Sequence, residues 1–493
     1  MSWKTLPASE NSDKTLNSLR TIIDSFTVQP NERKKPIRLH LGDPSVGGVL
    51  KPCPIAVEAL HEAIDSHSSD VYESSVGTLS SREAVVAKFS NSDAPFTADD
   101  VVMTSGCSHA LQMTIEALSG KGDNILVPHP GFPLYATLCR PHGIEDRAYK
   151  IDMSTGDRID LPHLETLIDE STKALIINNP GNPTGGVFEK EHLQEILEIA
   201  NRHRLVVIAD EIYGDLVFNG AEFHSLTSLS PKVPIIKCDG ISKRWMVPGW
   251  RLGWLIVYDC HGVLSEVKKG IVALSQKIVG PCALVQKALP KILKETSDEY
   301  FSQTREIIQN NSRIIGESLR KINGLTPMTP RGAMYMMIAV DKSAYGSDVT
   351  FCQKIVEEES VFCLPGQAFF APAKLLIWPG KFLAKFRKYG DNSHRWMWVD
   401  EAPERDLPTR CSFRFVGFVR RRPKQEPRFV AFKRAESVFE QTCVGKCASS
   451  LANKSNECFF LPFLAIILPG KAINQRLPNG GSPPFFGHKH LVP

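Results

Sequence analysis

No apolar run in the 493 residues is long enough to cross a membrane. The longest candidate, Phe459-Phe-Leu-Pro-Phe-Leu-Ala-Ile-Ile-Leu468, is too short and carries a proline, so a membrane role is not expected. The opening residues, Met-Ser-Trp-Lys-Thr-Leu-Pro, hold neither an apolar h-region nor a cleavage site, which argues against secretion. Twelve cysteines are scattered without a pairing pattern, which fits reduced thiols and a cytoplasmic location. Metal-ligand spacing is missing as well. Cys443 and Cys447 stand close together, but no histidine lies near them, and no metal site is expected.

What the chain does have is length for two or three domains and an ordinary globular composition, 42% hydrophobic and 23% charged. Its net charge of +4 hides a split. Residues 371–493 hold 21 Lys and Arg against 9 Asp and Glu, a balance of +12, which leaves −8 for residues 1–370. The same quarter of the chain holds 12 of the 34 prolines and 13 of the 25 phenylalanines. A boundary is therefore expected near Phe370. The cluster Arg420-Arg-Arg-Pro-Lys424 reads as a solvated, disordered charge run rather than a nucleic-acid site.

Before that boundary, short apolar runs alternate with helical patterns. Residues 101–104, 124–127, 174–177, 205–210 and 233–238 read as buried strands. Residues 110–118 and 189–203 read as helices between them. Strand, loop and helix in repetition signal a mainly parallel sheet covered by helices, an α/β fold. Beyond residue 262 helices dominate, with a returning strand over 331–338 and a helix over 348–358 capped by Asp348. A helical pattern also runs through Leu16, Leu19, Ile22, Ile23 and Phe26, and Ile37-Arg-Leu-His-Leu41 alternates like a strand before a turn at Gly42.

In such sheets ligands gather at the carboxyl ends of the strands. Ser105, Phe132, Asn182, Asp210 and Lys243 all fall there on this reading. Ser105-Gly-Cys-Ser108 joins a strand to a helix and would present unpaired N–H groups and the positive end of a helix dipole to an anion. Lys243 follows Ser242 in a turn, and Arg251 lies eight residues on in a Pro-Gly-Trp-Arg frame. A lysine amine forms Schiff bases with aldehydes, and a planar guanidinium grips a phosphate in two places. Together they describe a pocket for pyridoxal phosphate.

The chain resembles the fold-type I, class I and II pyridoxal phosphate aminotransferases, in their tyrosine-specific branch. The motifs are Asn182-Pro-Thr-Gly185, Ala209-Asp-Glu-Ile-Tyr-Gly-Asp215 and Ser242-Lys-Arg-Trp-Met-Val-Pro-Gly-Trp-Arg251, over roughly residues 1–370. The resemblance implies pyridoxal 5′-phosphate bound through Lys243, with Asp210 on the ring nitrogen and Phe132 on the ring face. Tyr213 and Asn182 would reach the ring oxygen. Ser105, Gly106, Cys107, Ser242 and Arg251 would hold the phosphate, joined by Tyr72 from the neighbouring subunit of a homodimer. Gly42 and Asn182 would face the substrate. It implies transfer of the amino group of L-tyrosine, or a related aromatic amino acid, to the 2-oxo acid 2-oxoglutarate. The implied domains are a large coenzyme-binding domain over 71–295 and a small one built from 1–70 and 296–370.

Two departures stand out. The family's hydroxyl three residues before the lysine is Gly240 here, with Ser242 left to compensate. Beyond residue 370 the family pattern dissolves, and of two candidates for the arginine that clamps the substrate carboxylate, Arg414 has strand-like surroundings but comes late, while Arg387 is closer but lies in a lysine-rich run. Two alternatives follow: a coenzyme-binding product impaired by its C-terminus, or another enzyme of the fold type, such as a C–S lyase or an aminocyclopropane carboxylate synthase.

Overall fold

The computed structural model describes residues 5–371, apart from short gaps at 26–27, 41, 44, 46–49, 154–156 and 230, and beyond them only the strands named below. One compact unit spans 1–432; a second, 433–493, lies outside the described residues.

Strand β1 (Ile37–Arg38) comes first, and the large sheet follows it. That sheet is built from β2 (Val101–Thr104), β3 (Asn124–His129), β4 (Glu145–Asp152), β5 (Arg158–Ile159), β6 (Thr172–Asn178), β7 (Val206–Asp210), β8 (Ile235–Gly240) and β9 (Gly253–Tyr258). Their order is β2-β9-β8-β7-β6-β3-β4-β5. The five central strands β8, β7, β6, β3 and β4 run parallel, while β9 and β5 are antiparallel to their neighbours. This is the expected mainly parallel sheet. Its central strands are apolar on both faces because both are covered: Leu175, Ile176, Ile177, Val207 and Ile208 are all fully buried.

The covering helices follow from the period of their apolar residues. In helix Lys190–Arg202, Leu193, Ile196, Leu197 and Ala200 are buried at i, i+3, i+4 and i+7. Ser297 caps the long helix Asp298–Leu319, its side chain accepting from the Tyr300 amide.

The remaining strands are β10 (Leu325–Pro327), β11 (Met336–Val340), β12 (Val361–Phe362), β13 (Leu364–Pro365) and β14 (Lys374–Ile377). β10, β11, β14 and β13 form a second, antiparallel sheet, and β12 pairs with β1, which docks the N-terminal segment here. Further on, β15 (Arg387–Lys388) pairs with β16 (Trp396–Met397), and β17 (Gly417–Arg420) with β18 (Arg428–Ala431).

Several expectations are corrected. The cap of helix Asp348–Glu359 is Ser347, which accepts from the Thr350 amide; Asp348 sits inside the first turn and accepts from the Gln367 amide instead. The returning strand begins at Met336, not Arg331, because the amides of Arg331 and Gly332 both bond the Gly185 carbonyl and that of Ala333 bonds Leu216. The compositional change expected near Phe370 is not where this second sheet ends. β14, past it, lies between β11 and β13. The helical pattern starting at Leu16 forms the short helix Ser18–Asp24, and a further helix, Glu10–Lys14, precedes it.

Candidate active site

Strand direction and register assemble the site. Asn178, Asp210 and Cys238 lie in one row at the carboxyl ends of β6, β7 and β8. Thr104, Gly253 and Gly240 form the neighbouring row, because antiparallel β9 starts at the edge where β2 and β8 finish. Residues just beyond those ends, and just before β9, therefore converge. Among them are Cys107, Phe132, Asn182, Ser242, Lys243 and Arg251, which with Gly42, Asp210 and Tyr213 line a cavity of about 320 Å³.

Asp210 is 3% exposed, and no described residue forms an ion pair with it. Its Oδ2 accepts from the Tyr135 hydroxyl at 2.7 Å. Its Oδ1 accepts from the Cys107 thiol at 3.6 Å and the Ile212 amide at 3.4 Å. Burial pushes its carboxyl up to about 6, against the downward pull of these bonds.

The Lys243 amine donates to the Gly42 carbonyl at 2.6 Å and lies 5.9 Å from the centre of the Tyr213 ring. Burial lowers it to about 8; Arg251 acts in the same direction and Asp43 opposes. An amine near 8 has a substantial neutral fraction at neutral pH, as a Schiff-base lysine requires. The Tyr213 hydroxyl is paired with that of Tyr335 at 2.7 Å. Phe132 meets Tyr135 edge-on, at 5.9 Å and 88°.

On the anion side, Gly106 has φ +80, and a Cβ there would stand 2.5 Å from Arg251 Nη2. Glycine lets the guanidinium approach. Arg251 donates to the carbonyls of Pro248 at 3.0 Å and Ser105 at 3.2 Å. The Gly106 amide already donates to Thr104, so the Cys107 amide and Ser108, in the first turn of helix Cys107–Leu118, are what that turn offers the cavity. Ser105 contributes its carbonyl to Arg251, and its own amide donates to His109 Nδ1 at 3.2 Å. At Gly240 a Cβ would lie 2.8 Å from the Leu252 carbonyl oxygen. A side chain there would meet backbone, and among the described residues of the lining Ser242 and Ser108 offer serine hydroxyls.

Tyr72 is 94% exposed and stands apart from the cavity lining; Arg414 lies outside the described residues. Four residues of consequence escaped the sequence reading. Ser108 closes the Ser105-Gly-Cys-Ser108 turn and Tyr135 stands three residues after Phe132, each without an assigned role. Tyr335 gave no local signal, since a loop far along the chain carries it in. Arg244, read as part of a motif, is buried between Asp239 and Asp215, 2.9 Å from the latter. The cavity lining also holds apolar side chains: Leu19, Leu39, Ile212, Leu364 and Phe369.

The groups present fit a pyridoxal phosphate. A buried carboxylate without a cation suits a protonated ring nitrogen. The buried Asn182 Oδ1 has no hydrogen-bond partner among the described residues, and with its backbone N–H held by Asn178 Oδ1 at 2.7 Å, its side-chain NH2 can be turned to donate to a ring oxygen. Among the described residues no cluster could hold a metal ion, and no helix is long and apolar enough to cross a membrane.

Comparison with known proteins agrees with this chemistry. The model of the aminotransferase class I and II family matches residues 34–379. A tyrosine aminotransferase of Caenorhabditis elegans is 63% identical over 371 residues, 75% of this chain and 80% of that protein. The Homo sapiens tyrosine aminotransferase is 44% identical over 374 residues, 75% and 82% of the two chains. The crystal structure of a tyrosine aminotransferase from Leishmania infantum superposes with a TM-score of 0.73 at 30% identity, covering 77% of this chain and 95% of that one.

Proposed function

The chain belongs to the aminotransferase class I and II family, and from that premise we propose that it moves the amino group of L-tyrosine, or a related aromatic amino acid, to 2-oxoglutarate. The observation that carries the reading is the pairing, in one cavity, of a lysine amine held near 8 with a buried, cation-free carboxylate. The names of the relatives and the apolar side chains of the lining support an aromatic side chain.

When bound, pyridoxal 5′-phosphate supplies an aldehyde that accepts the amino group and a ring that draws electrons from the substrate α-carbon. Lys243 Nζ would hold the coenzyme through that aldehyde and, once the amine of the substrate has displaced it, would be free to carry a proton to and from the α-carbon. Asp210 keeps the ring nitrogen protonated, itself held in place by Tyr135. Tyr213 and Asn182 would hydrogen-bond the ring oxygen, and Phe132 would cover the ring face. The Cys107 and Gly106 turn, Ser105, Ser242 and Arg251 hold the phosphate, with Gly106 serving by its conformation. Gly42, Asn182 and, from outside the described residues, Arg414 are assigned to the substrate.

The same reading places the enzyme in the cytoplasm as a homodimer in which Tyr72 reaches the neighbouring subunit's phosphate. Exposed Val71, Tyr72, Ile278 and Val279 support a shared apolar face, since Gly280 packs against Ser74 and Ser75. The domain division, 71–295 against 1–70 with 296–370, is supported by the β1–β12 pairing. Purified chain given coenzyme should develop a visible absorbance band that L-tyrosine shifts, with glutamate formed from 2-oxoglutarate. A band unmoved by any amino acid would reject transamination.

A further inference from the structure

Strand β2 ends at Thr104, and the Ser105 residue that follows is held at both of its backbone groups by side chains. Its N–H donates to His109 Nδ1 at 3.2 Å, and its carbonyl accepts from Arg251 at 3.2 Å. His109 stands in the first turn of helix Cys107–Leu118, half-buried, and is not among the residues that line the cavity. A backbone N–H can only donate. Nδ1 must therefore keep its lone pair, which puts the proton of the neutral ring on Nε2. A second proton, on Nδ1, would turn the acceptor into a donor and leave the Ser105 N–H facing it. The surroundings favour the neutral ring. Burial above all holds it below its ordinary 6.5; Glu116 on the same helix pulls the other way, and Lys277, beyond helix Ser265–Ser275, acts with burial. Glu116 is itself paired with Lys277 at 2.7 Å and with His142 at 3.5 Å. The positive end of the helix also disfavours a charge on a first-turn imidazole.

We propose that His109 is a positioning residue: as a neutral acceptor it fixes the Ser105 backbone, and through it the Arg251 guanidinium and the turn that receive the phosphate of the coenzyme. The inference rests on the coenzyme reading above. The bond exists only while Nδ1 is unprotonated, so it is present at neutral pH and is lost as pH falls through the imidazole range. The hold on the phosphate should then loosen in acid because of a group that lies outside the cavity.

The test is the affinity of the full chain, stripped of coenzyme, for pyridoxamine 5′-phosphate, which carries the same phosphate but forms no bond to Lys243. Fluorescence titrations run from about pH 8 down to about pH 5 on wild type, His109→Asn and His109→Leu, with thermal melts at each pH to check folding. Asparagine sets its Oδ1 where Nδ1 stands and accepts at every pH, whereas leucine accepts nothing. Ionisation of the phosphate is common to all three and cancels when they are compared. At about pH 8 wild type and H109N should bind alike, and H109L about fivefold more weakly. As pH falls, wild type should drop away from H109N towards that same difference of about fivefold, while H109N and H109L keep a constant ratio. H109L binding as tightly as wild type near neutrality would overturn the proposal. So would a ratio of wild type to H109N that stays flat into acid. Wild type binding tighter than H109N in acid would overturn it as well, since a charged imidazole would then be drawing the phosphate directly. Wild-type protein that binds no pyridoxamine 5′-phosphate at any pH would sink the functional reading and this inference with it. Wild-type binding with any of the three contrary patterns would sink the inference alone.

Discussion

Two pairs of chain neighbours, Asp210 with Glu211 and Lys243 with Arg244, divide the charged groups at this sheet edge into opposite kinds. Asp210 and Lys243 face the cavity, and neither forms an ion pair with a described residue. The residue after each is buried and ion-paired, although Arg244 Nε has no hydrogen-bond partner among the described residues. Glu211 pairs with Lys237 at 2.8 Å and accepts from Ser225 and the Leu226 amide. Arg244 pairs with Asp239 and Asp215, and its guanidinium lies over Phe89 at 5.3 Å and Trp245 at 5.0 Å. One step along the chain turns a side chain from the cavity into the frame. The difference teaches that reactive charges are left without a countercharge, and that the turns carrying them are held by neighbours whose charges are satisfied.

That contrast can be broken from either side. Lys243→Ala should have the largest effect, lowering amino-transfer by about four orders of magnitude through loss of the proton carrier. The melting temperature of the coenzyme-free protein should hardly move, because no buried ion pair is lost. Asp210→Asn keeps the size but gives up the charge, and should cost about 10²–10³-fold in kcat. Arg244→Met should do the reverse. Leaving Asp239 buried and unpaired should destabilise the fold by about 3–5 kcal/mol, read by denaturant unfolding. Were R244M to lose activity at unchanged stability, the division between cavity and frame would be wrong.

The smallest effect is on pH. Neutral amine is the nucleophile, and its fraction grows as pH rises through the pKa. Covalent uptake of coenzyme by the apoprotein should therefore rise through about pH 8 and level off above it. A lysine without the lowering effect of burial would still be climbing near its ordinary 10.5. Stopped-flow absorbance over pH 6.5–9.5 would separate the two.

Much of this was legible in the sequence because the large sheet is built from local signals. Runs such as Ala174-Leu-Ile-Ile177 announce a strand, and the residue after each run falls at the carboxyl edge. That placed Asn182, Asp210 and Lys243 in one site before any contact was known. Tyr335 was out of reach for the opposite reason. Its position depends on pairings with Gly185 and Leu216 more than a hundred residues away, and these also delay the strand that the apolar run around Met336 suggested. Arg244 looked like one more polar loop residue because its partners are a strand end and another turn. At Asp348 two good capping residues stand side by side, and local chemistry cannot choose between them. Ser347 caps, and the aspartate is drawn to the Gln367 amide.

The most direct test of the account is borohydride reduction of the coenzyme-loaded chain, followed by digestion and mass mapping. The account predicts a phosphopyridoxyl addition on the peptide containing Lys243, and none there once tyrosine has taken the coenzyme to its amino form. An addition on some other lysine, with Lys243 unmodified, would contradict it.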